Sequence, residues 1–151
     1  MSNVTRAAKI VLADSFKFYL KAHNYHWNVE GMFFQPLHEL FSTIYNEVWP
    51  QLDLIAEHIR AMDDYAPGSW DRYNRLSTIQ DENETGAIPA KIMLQRLYDD
   101  NQVVLANIKA CFDAATAVGN EGLADLMAGR QEAHAKHAWM LRSTLKSSSL
   151  N

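Results

Sequence analysis

The chain has 151 residues, 48% of them hydrophobic, and a formal net charge of −4 at pH 7. This is the size of one domain with enough apolar residues for a core, which excludes a mostly disordered chain. The acidic balance gives no support to broad nucleic-acid binding, because surfaces that contact phosphates are usually basic.

Three further features indicate the compartment. The single cysteine, Cys111, cannot form an internal disulfide, which fits a reducing environment. The opening segment has a short apolar run that Asp14 and Lys17 interrupt, which is a poor match to a signal peptide. No stretch approaches the ~20 apolar residues of a membrane span. We expect a soluble, cytoplasmic protein that forms a single domain over residues 1–151.

The first half of the chain predicts two long helices. Apolar residues recur at three- and four-residue steps from Val4 to about Trp27, which is typical of a helix with one buried stripe. Gly31 marks a connection, and Pro36 suits the first turn of the next helix, where a missing N–H costs little. The second helix is predicted to end at about Asp64, with a kink at Pro50, because proline removes a hydrogen bond and clashes with the preceding turn.

The second half predicts a crossover and two more helices. Residues 65–89 are turn-rich and polar, and about 25 residues are too many for a bare loop in a compact domain, so we predict a short helix around Trp70 to Arg75. A third helix is predicted from Pro89 to Val118, where a Gly-Asn pair follows as a stop signal, and a fourth from Glu121 to Leu145. The predicted fold class is all-α, a ferritin-like four-helix bundle with a short extra helix in the long crossover between helices 2 and 3.

Histidines and acids are grouped in the first two helices. His23, His26 and His38 fall within HNYHWNVEGMFFQPLH, and Asp53 and Glu57 follow in DLIAEHIR. A lone histidine on a helix is more often structural or solvated than a metal ligand. An acidic pair at i, i+4 is more often solvent-facing. His23 and His26, at i, i+3, suggest a shared metal only weakly.

Helix geometry favours a metal site made by two chains. His26 ends the first helix and His38 begins the second, so both can face one point. Asp53 lies roughly 22 Å further along the second helix than His38 but on a similar face, because 15 steps of 100° leave about 60° of rotation. Ligand bonds are about 2 Å long, so one chain cannot bring His38 and Asp53 to one ion without breaking the helix. An antiparallel two-fold partner would bring Asp53 and Glu57 of one chain opposite His26 and His38 of the other, and an isologous dimer would have two such sites. Mixed imidazole and carboxylate ligands suit Fe(II), Zn or Mn.

A di-iron site inside one bundle is the alternative for the same fold. Such sites need Glu-x-x-His pairs from two helices. No glutamate in this sequence is followed by histidine three places later. The sequence therefore predicts that the bundle interior holds no such site.

Three segments resemble the Dps family, the mini-ferritins also called DNA-binding proteins from starved cells. They are AHNYHWNVEGMFFQPLHELF, DLIAEHIRAMDDYAPGS and AHAKHAWMLRSTL. The resemblance covers essentially the whole chain. It implies a dodecameric cage that oxidises Fe(II), preferably with hydrogen peroxide, at sites between two-fold related subunits. It also implies storage of the ferric mineral inside, which protects against oxidative stress.

The ferroxidase ligands of the family fall on His26, His38, Asp53 and Glu57. The family often has an aspartate one turn after the second histidine, where this chain has Ser42. A hydroxyl is a poorer ligand than a carboxylate, so the second iron position is expected to be weaker.

For two residues near the predicted ligands, the sequence allows two possible roles each. His23 is either a partial substitute for the missing carboxylate or a solvated neighbour of the site. Trp27 is either an interface aromatic, which we favour, or an electron donor that absorbs stray oxidising equivalents.

A second acidic pair, Glu121 and Asp125, begins the fourth helix. Acids at this position complement the helix dipole. By resemblance they line a three-fold pore, where a ring of like charges would draw Fe(II) inward.

Two other functions remain open. One is a DNA-compacting shell, associated with the nucleoid, in which iron oxidation is secondary. The net charge and the absence of a lysine-rich tail do not favour it. The other is a helical oligomer whose metal site is empty, to which Ser42 gives some weight.

Overall fold

The protein is described by a computed structural model over residues 2–147 and 150. It contains five helices: α1 (Asn3–Asn28), α2 (Phe34–Ala61), α3 (Trp70–Leu76), α4 (Ala90–Ala117) and α5 (Glu121–Leu145). No strand occurs among the described residues. The predicted all-α fold is confirmed, and the short helix expected in the crossover is present as α3.

Local chemistry sets the helix ends. The side chains of Ser2, Ser69 and Asn120 cap the N-termini of α1, α3 and α5 by accepting from backbone N–H groups. Gly119 ends α4 with φ +71°, a left-handed conformation that favours glycine. Asp63 has φ +62°, so α2 stops at Ala61 and not at the predicted Asp64.

Proline occurs twice in α2. Pro36 lies in its first turn, as predicted. Pro50 lies inside the helix, which continues on both sides of it. The kink at Pro50 stays a prediction.

The four long helices form a closed ring. α1 packs against α2 and α4, α4 against α5, and α5 against α2 through a smaller contact. The stripe predicted from apolar spacing in the first helix faces the shared core. The largest fully buried side chains come from all four helices: Phe18, Tyr25, Phe41, Ile44, Ile55, Ile59, Met93, Leu94, Leu97, Ile108, Leu123 and Met127.

The crossover is held on α1 by buried polar contacts. Asp14 is fully buried and accepts from Ser77 Oγ at 2.6 Å and from Asn107 Nδ2 at 2.7 Å. Lys17 Nζ donates to Asn74 at 2.8 Å and pairs with Asp81. A buried carboxylate is costly unless it is hydrogen-bonded, so these contacts fix α3 and the segment after it.

None of the helices described combines the length with the apolar character that crossing a membrane demands.

Candidate metal centre

Two reciprocal hydrogen bonds join the end of α1 to the start of α2. His26 Nδ1 donates to the carbonyl oxygen of His38 at 2.7 Å, and His38 Nδ1 donates to the carbonyl oxygen of His26 at 2.6 Å. The imidazoles stack with centroids 3.7 Å apart and planes 15° apart. A carbonyl oxygen only accepts, so each Nδ1 must carry a hydrogen.

The hydrogen on Nδ1 leaves Nε2 of each neutral ring with a free lone pair. A backbone carbonyl that fixes the tautomer and orientation of a ligating histidine is the usual support of a metal-binding imidazole. The donor set of His26 and His38 therefore fits a transition-metal ion.

The stacking also limits how these rings share metal. Lone pairs lie in the ring planes, and two nearly parallel planes do not meet at a point about 2 Å from both nitrogens. In this geometry the free Nε2 atoms of His26 and His38 do not converge on one ion. The expectation that both face one point is refined accordingly.

Asp53 and Glu57 lie together on the exposed side of α2. The pKa of Glu57 is raised because its carboxyl group shares a hydrogen bond with Asp53 and lies beside its negative charge. A bound cation would relieve this repulsion. Because α2 is one helix from Phe34 to Ala61, Asp53 stays roughly 22 Å from His38 along the helix, and Glu57 lies about one turn further away.

The structure thus places the candidate ligands in two separate pairs within one chain. His26 meets His38, and Asp53 meets Glu57, but the two pairs do not meet. Within residues 2–147 and 150, no group of three or more histidine, cysteine or acidic side chains is placed to hold a metal.

The bundle interior holds an ion-pair network. Arg130, 3% exposed, donates through Nη1 and Nη2 to the two carboxylate oxygens of Glu47, and His137 Nε2 donates to Glu47 at 2.9 Å. His134 accepts from Arg130 at 3.1 Å and bonds Asn101 through Nδ1 at 2.7 Å. The guanidinium of Arg130 lies between Glu47 and His134, and its positive charge disfavours a cation at that place.

The pKa values of Glu47 and His134 in this network are shifted strongly from their ordinary values. Burial alone raises the pKa of Glu47, but hydrogen bonds from His137 and Arg130 outweigh it and lower that pKa to about 2. Burial, reinforced by the positive charge of Arg130, holds the pKa of His134 well below its usual range.

We expect acid to destabilise the fold in two steps. Below about pH 6.5 the unfolded state protonates His134 while the folded state keeps it neutral, so stability falls as pH falls. Between pH 4.5 and about 2, the stabilisation from ionised Glu47 is lost as well.

Thermal unfolding from pH 7.5 to 5 should show a weaker pH dependence in His134→Gln than in wild type. Lys136→Gln, an exposed change on the same helix, should keep the wild-type slope, and equal slopes in all three proteins would contradict the assignment to His134.

His23 lies in a cluster of aromatic rings beside the histidine pair. Its ring stacks on Tyr45 at 3.9 Å and contacts Trp27 at 3.9 Å, and Nδ1 is hydrogen-bonded to Tyr19 Oη at 2.9 Å. The pKa of His23 is lowered by partial burial and by the nearby His26. Sequence reasoning missed Tyr19 and Tyr45, although Tyr19 lies four residues before His23, a spacing that puts both on one helix face.

Ser42 is engaged within its own helix. Its Oγ accepts from Asn46 Nδ2 at 3.1 Å. Ser42 therefore presents a hydroxyl group at the position where the resemblance to the Dps family implies a carboxylate.

The second acidic pair lies at the N-terminus of α5. Glu121 is in the first turn and Asp125 one turn later, and both are exposed. This placement fits dipole complementarity. A pore needs several chains, so the pore assignment stays a prediction.

Comparison with known proteins gives the family. Residues 8–150 match the Ferritin-like domain. General stress protein 20U of Bacillus subtilis is 35% identical over 84% of this chain and 86% of its own length. DNA protection during starvation protein 2 of Bacillus anthracis is 34% identical, over 89% of this chain and 90% of its own length.

Comparison with solved structures supports the same family assignment. Antigen TpF1 from Treponema pallidum has a TM-score of 0.90 and 29% identity, over 95% of this chain and 92% of that one. The Dps protein from Vibrio cholerae, described as a ferritin-like diiron-carboxylate protein, has a TM-score of 0.88 and 27% identity, over 95% and 89%. The chain therefore belongs to the ferritin-like family and, within it, to the Dps proteins.

Proposed function

We propose that this protein is a ferroxidase and iron-storage cage that protects against oxidative stress. The observation that carries the proposal is the pair His26 and His38, whose Nδ1 atoms are both committed to backbone carbonyls. An imidazole held in this way has its Nε2 lone pair oriented for a metal before the metal arrives.

A two-fold partner is proposed to complete each site. The acids lie on a face of α2 with exposed apolar side chains, Trp49 at 54% and Leu54 at 44%. An open groove of about 330 Å³ beside them is lined mainly by apolar residues and includes Asp53. Exposed apolar patches beside polar groups mark interaction sites, and an isologous contact there would bring Asp53 and Glu57 to the histidines of the other chain. Six such dimers would make the dodecamer that the family resemblance implies.

Fe(II) is the proposed substrate and hydrogen peroxide the preferred oxidant. Peroxide takes two electrons and two protons to give two waters, and two Fe(II) ions supply one electron each. The imidazoles of His26 and His38 hold neighbouring ions, and the carboxylates of Asp53 and Glu57 offset the charge gained on oxidation. Zn(II) or another divalent ion would compete for the same donors.

The two iron positions are proposed to be unequal. Ser42 replaces a carboxylate on the His38 side, and its hydroxyl already accepts from Asn46. The position without this carboxylate binds Fe(II) more weakly, because charge on the ligands sets much of the affinity of a hard cation. Glu121 and Asp125 are proposed to line the entry pore.

Removing the histidine pair tests the proposal. His26→Ala/His38→Ala should slow peroxide-driven Fe(II) oxidation by about 100-fold or more, since even groups that only support metal ligands are worth 10–100-fold. Absorbance of ferric product, with its retention in solution after centrifugation, is the measurement. Glu39→Gln removes an exposed carboxylate beside His38 and should behave as wild type. An unchanged rate in the double variant would show that the site is wrongly assigned.

DNA compaction is the less favoured function. Relatives carry DNA protection in their names, but DNA affinity is mainly electrostatic. The net charge of −4 supplies no such attraction.

A further inference from the structure

The first turn of α2 has little local support of its own. Phe33 occupies the N-cap position and has no side-chain acceptor for the free backbone N–H groups, and no acidic residue lies in the first turn. Such groups normally stabilise the N-terminus of a helix. The connection before α2 turns through Gly31 at φ +112°, a conformation that favours glycine. Packing from outside α2 therefore matters most for this turn, which leads directly into His38.

Leu150, five residues after the end of α5, supplies such packing. It is 5% exposed and belongs to the same hydrophobic cluster as Leu37, which is 3% exposed, and Phe33 packs against that cluster. The three side chains together line two open grooves, of about 450 Å³ and 140 Å³. Phe33 and Leu37 lie four residues apart on one face of the chain as α2 begins, so Leu150 is seated on that face.

The neighbouring face of the same turn carries the geometry of the metal centre. Phe34 and His38 are also four residues apart, and their ring centroids are separated by 4.9 Å. They follow Phe33 and Leu37 by one residue, so the two faces are about 100° apart around the helix. A shift of this turn relative to α1 would break both hydrogen bonds between His26 and His38, because each joins an imidazole of one helix to a carbonyl of the other.

We propose that Leu150 is a positioning residue for the metal centre. By packing on Phe33 and Leu37, it fixes the first turn of α2 relative to α1. The fixed turn keeps both Nδ1 atoms of the histidine pair on their backbone carbonyls, and both Nε2 atoms oriented for a metal. The inference rests on the proposed function, since it concerns how that site is preorganised.

Equilibrium binding of Co(II) to the intact protein tests the role of Leu150. Co(II) takes the imidazole and carboxylate donors that suit Fe(II), and its visible absorbance reports binding. Leu150→Ala should raise the Co(II) dissociation constant by about 10-fold, the lower end of the effect of removing groups that support metal ligands. Leu150→Met nearly conserves side-chain volume and should keep the wild-type affinity. A wild-type affinity in Leu150→Ala overturns the proposal.

A matched truncation separates positioning from a general loss of stability. Val4 is similarly buried, at 8% exposed, but lies 22 residues before His26 on α1, roughly 33 Å away. Val4→Ala should lower the temperature of thermal unfolding and leave the Co(II) affinity unchanged. If Val4→Ala weakens Co(II) binding as much as Leu150→Ala does, the effect is general destabilisation and the positioning role is wrong.

A readout without metal keeps the failure of this proposal distinct from the failure of the proposed function. Backbone hydrogen exchange of residues 29–38, followed by mass spectrometry of metal-free protein, should be faster in Leu150→Ala than in wild type or Val4→Ala. Unchanged exchange overturns the positioning role alone when wild type binds Co(II). A wild-type protein that binds no Co(II) overturns the proposed function, and the positioning role with it.

Discussion

Two inactive variants are expected to restore activity when their subunits are mixed. One carries His26→Ala/His38→Ala and the other Asp53→Ala/Glu57→Ala. If each site takes its histidines from one chain and its acids from the two-fold partner, a mixed pair has one intact site and one doubly defective site. Half of randomly assorted pairs are mixed, so about a quarter of all sites should be complete. The rate of Fe(II) oxidation after joint refolding measures the recovered fraction.

A matched mixture separates this result from nonspecific rescue. Subunits with only His26→Ala are mixed with subunits that have only His38→Ala. Every site then receives a histidine pair with one defect, so this mixture should be no more active than the two single variants measured separately. If the first mixture also stays inactive while its assembly is normal, the two-chain assignment of the ligands is wrong.

Replacing Glu47 should have the largest effect on stability. Glu47→Leu leaves the guanidinium of Arg130, 3% exposed, without its carboxylate, and removes the partner of His137. Breaking one side of a buried ion pair costs about 3–5 kcal/mol, and we expect about 3 because the Glu47 end of the pair reaches solvent. Urea unfolding at neutral pH and fixed protein concentration measures the loss, since assembly makes stability depend on concentration.

The double variant Glu47→Leu/Arg130→Met is the internal control. Without either charge, the buried site has no unpaired ion, so the double variant should be more stable than Glu47→Leu alone. A loss below about 1 kcal/mol in Glu47→Leu would show that the pair behaves as an ordinary surface salt bridge.

The ends of the helices were predictable because their signals are local. Capping residues, Gly119 and the position of Pro36 each act within one turn of chain. The end of α2 was missed by three residues, since an aspartate with positive φ has no strong sequence signature. The short helix α3 was found from loop length and not from its own pattern.

The polar network in the bundle was not predicted. Arg130, His134 and His137 continue the spacing that begins at buried Met127 and ends at buried Leu141. Charged and polar residues at positions where the helical spacing expects core residues were the signal in the sequence that could have indicated this network. Glu47 compensates the buried charge of Arg130 but lies 83 residues away from it in the sequence. This pairing was therefore visible only in the folded chain.

Sequence alone determined the fold class, the family and the chemical types of the candidate ligands. It also determined that His38 and Asp53 cannot meet in one chain, because helix rise is the same in every helix. The tertiary structure decided which nitrogen of each histidine is free, because this depends on where backbone carbonyls lie after α1 and α2 pack together. It also decided that His23 belongs to a cluster of aromatic rings, since ring stacking depends on contacts between helices that no spacing along the sequence records.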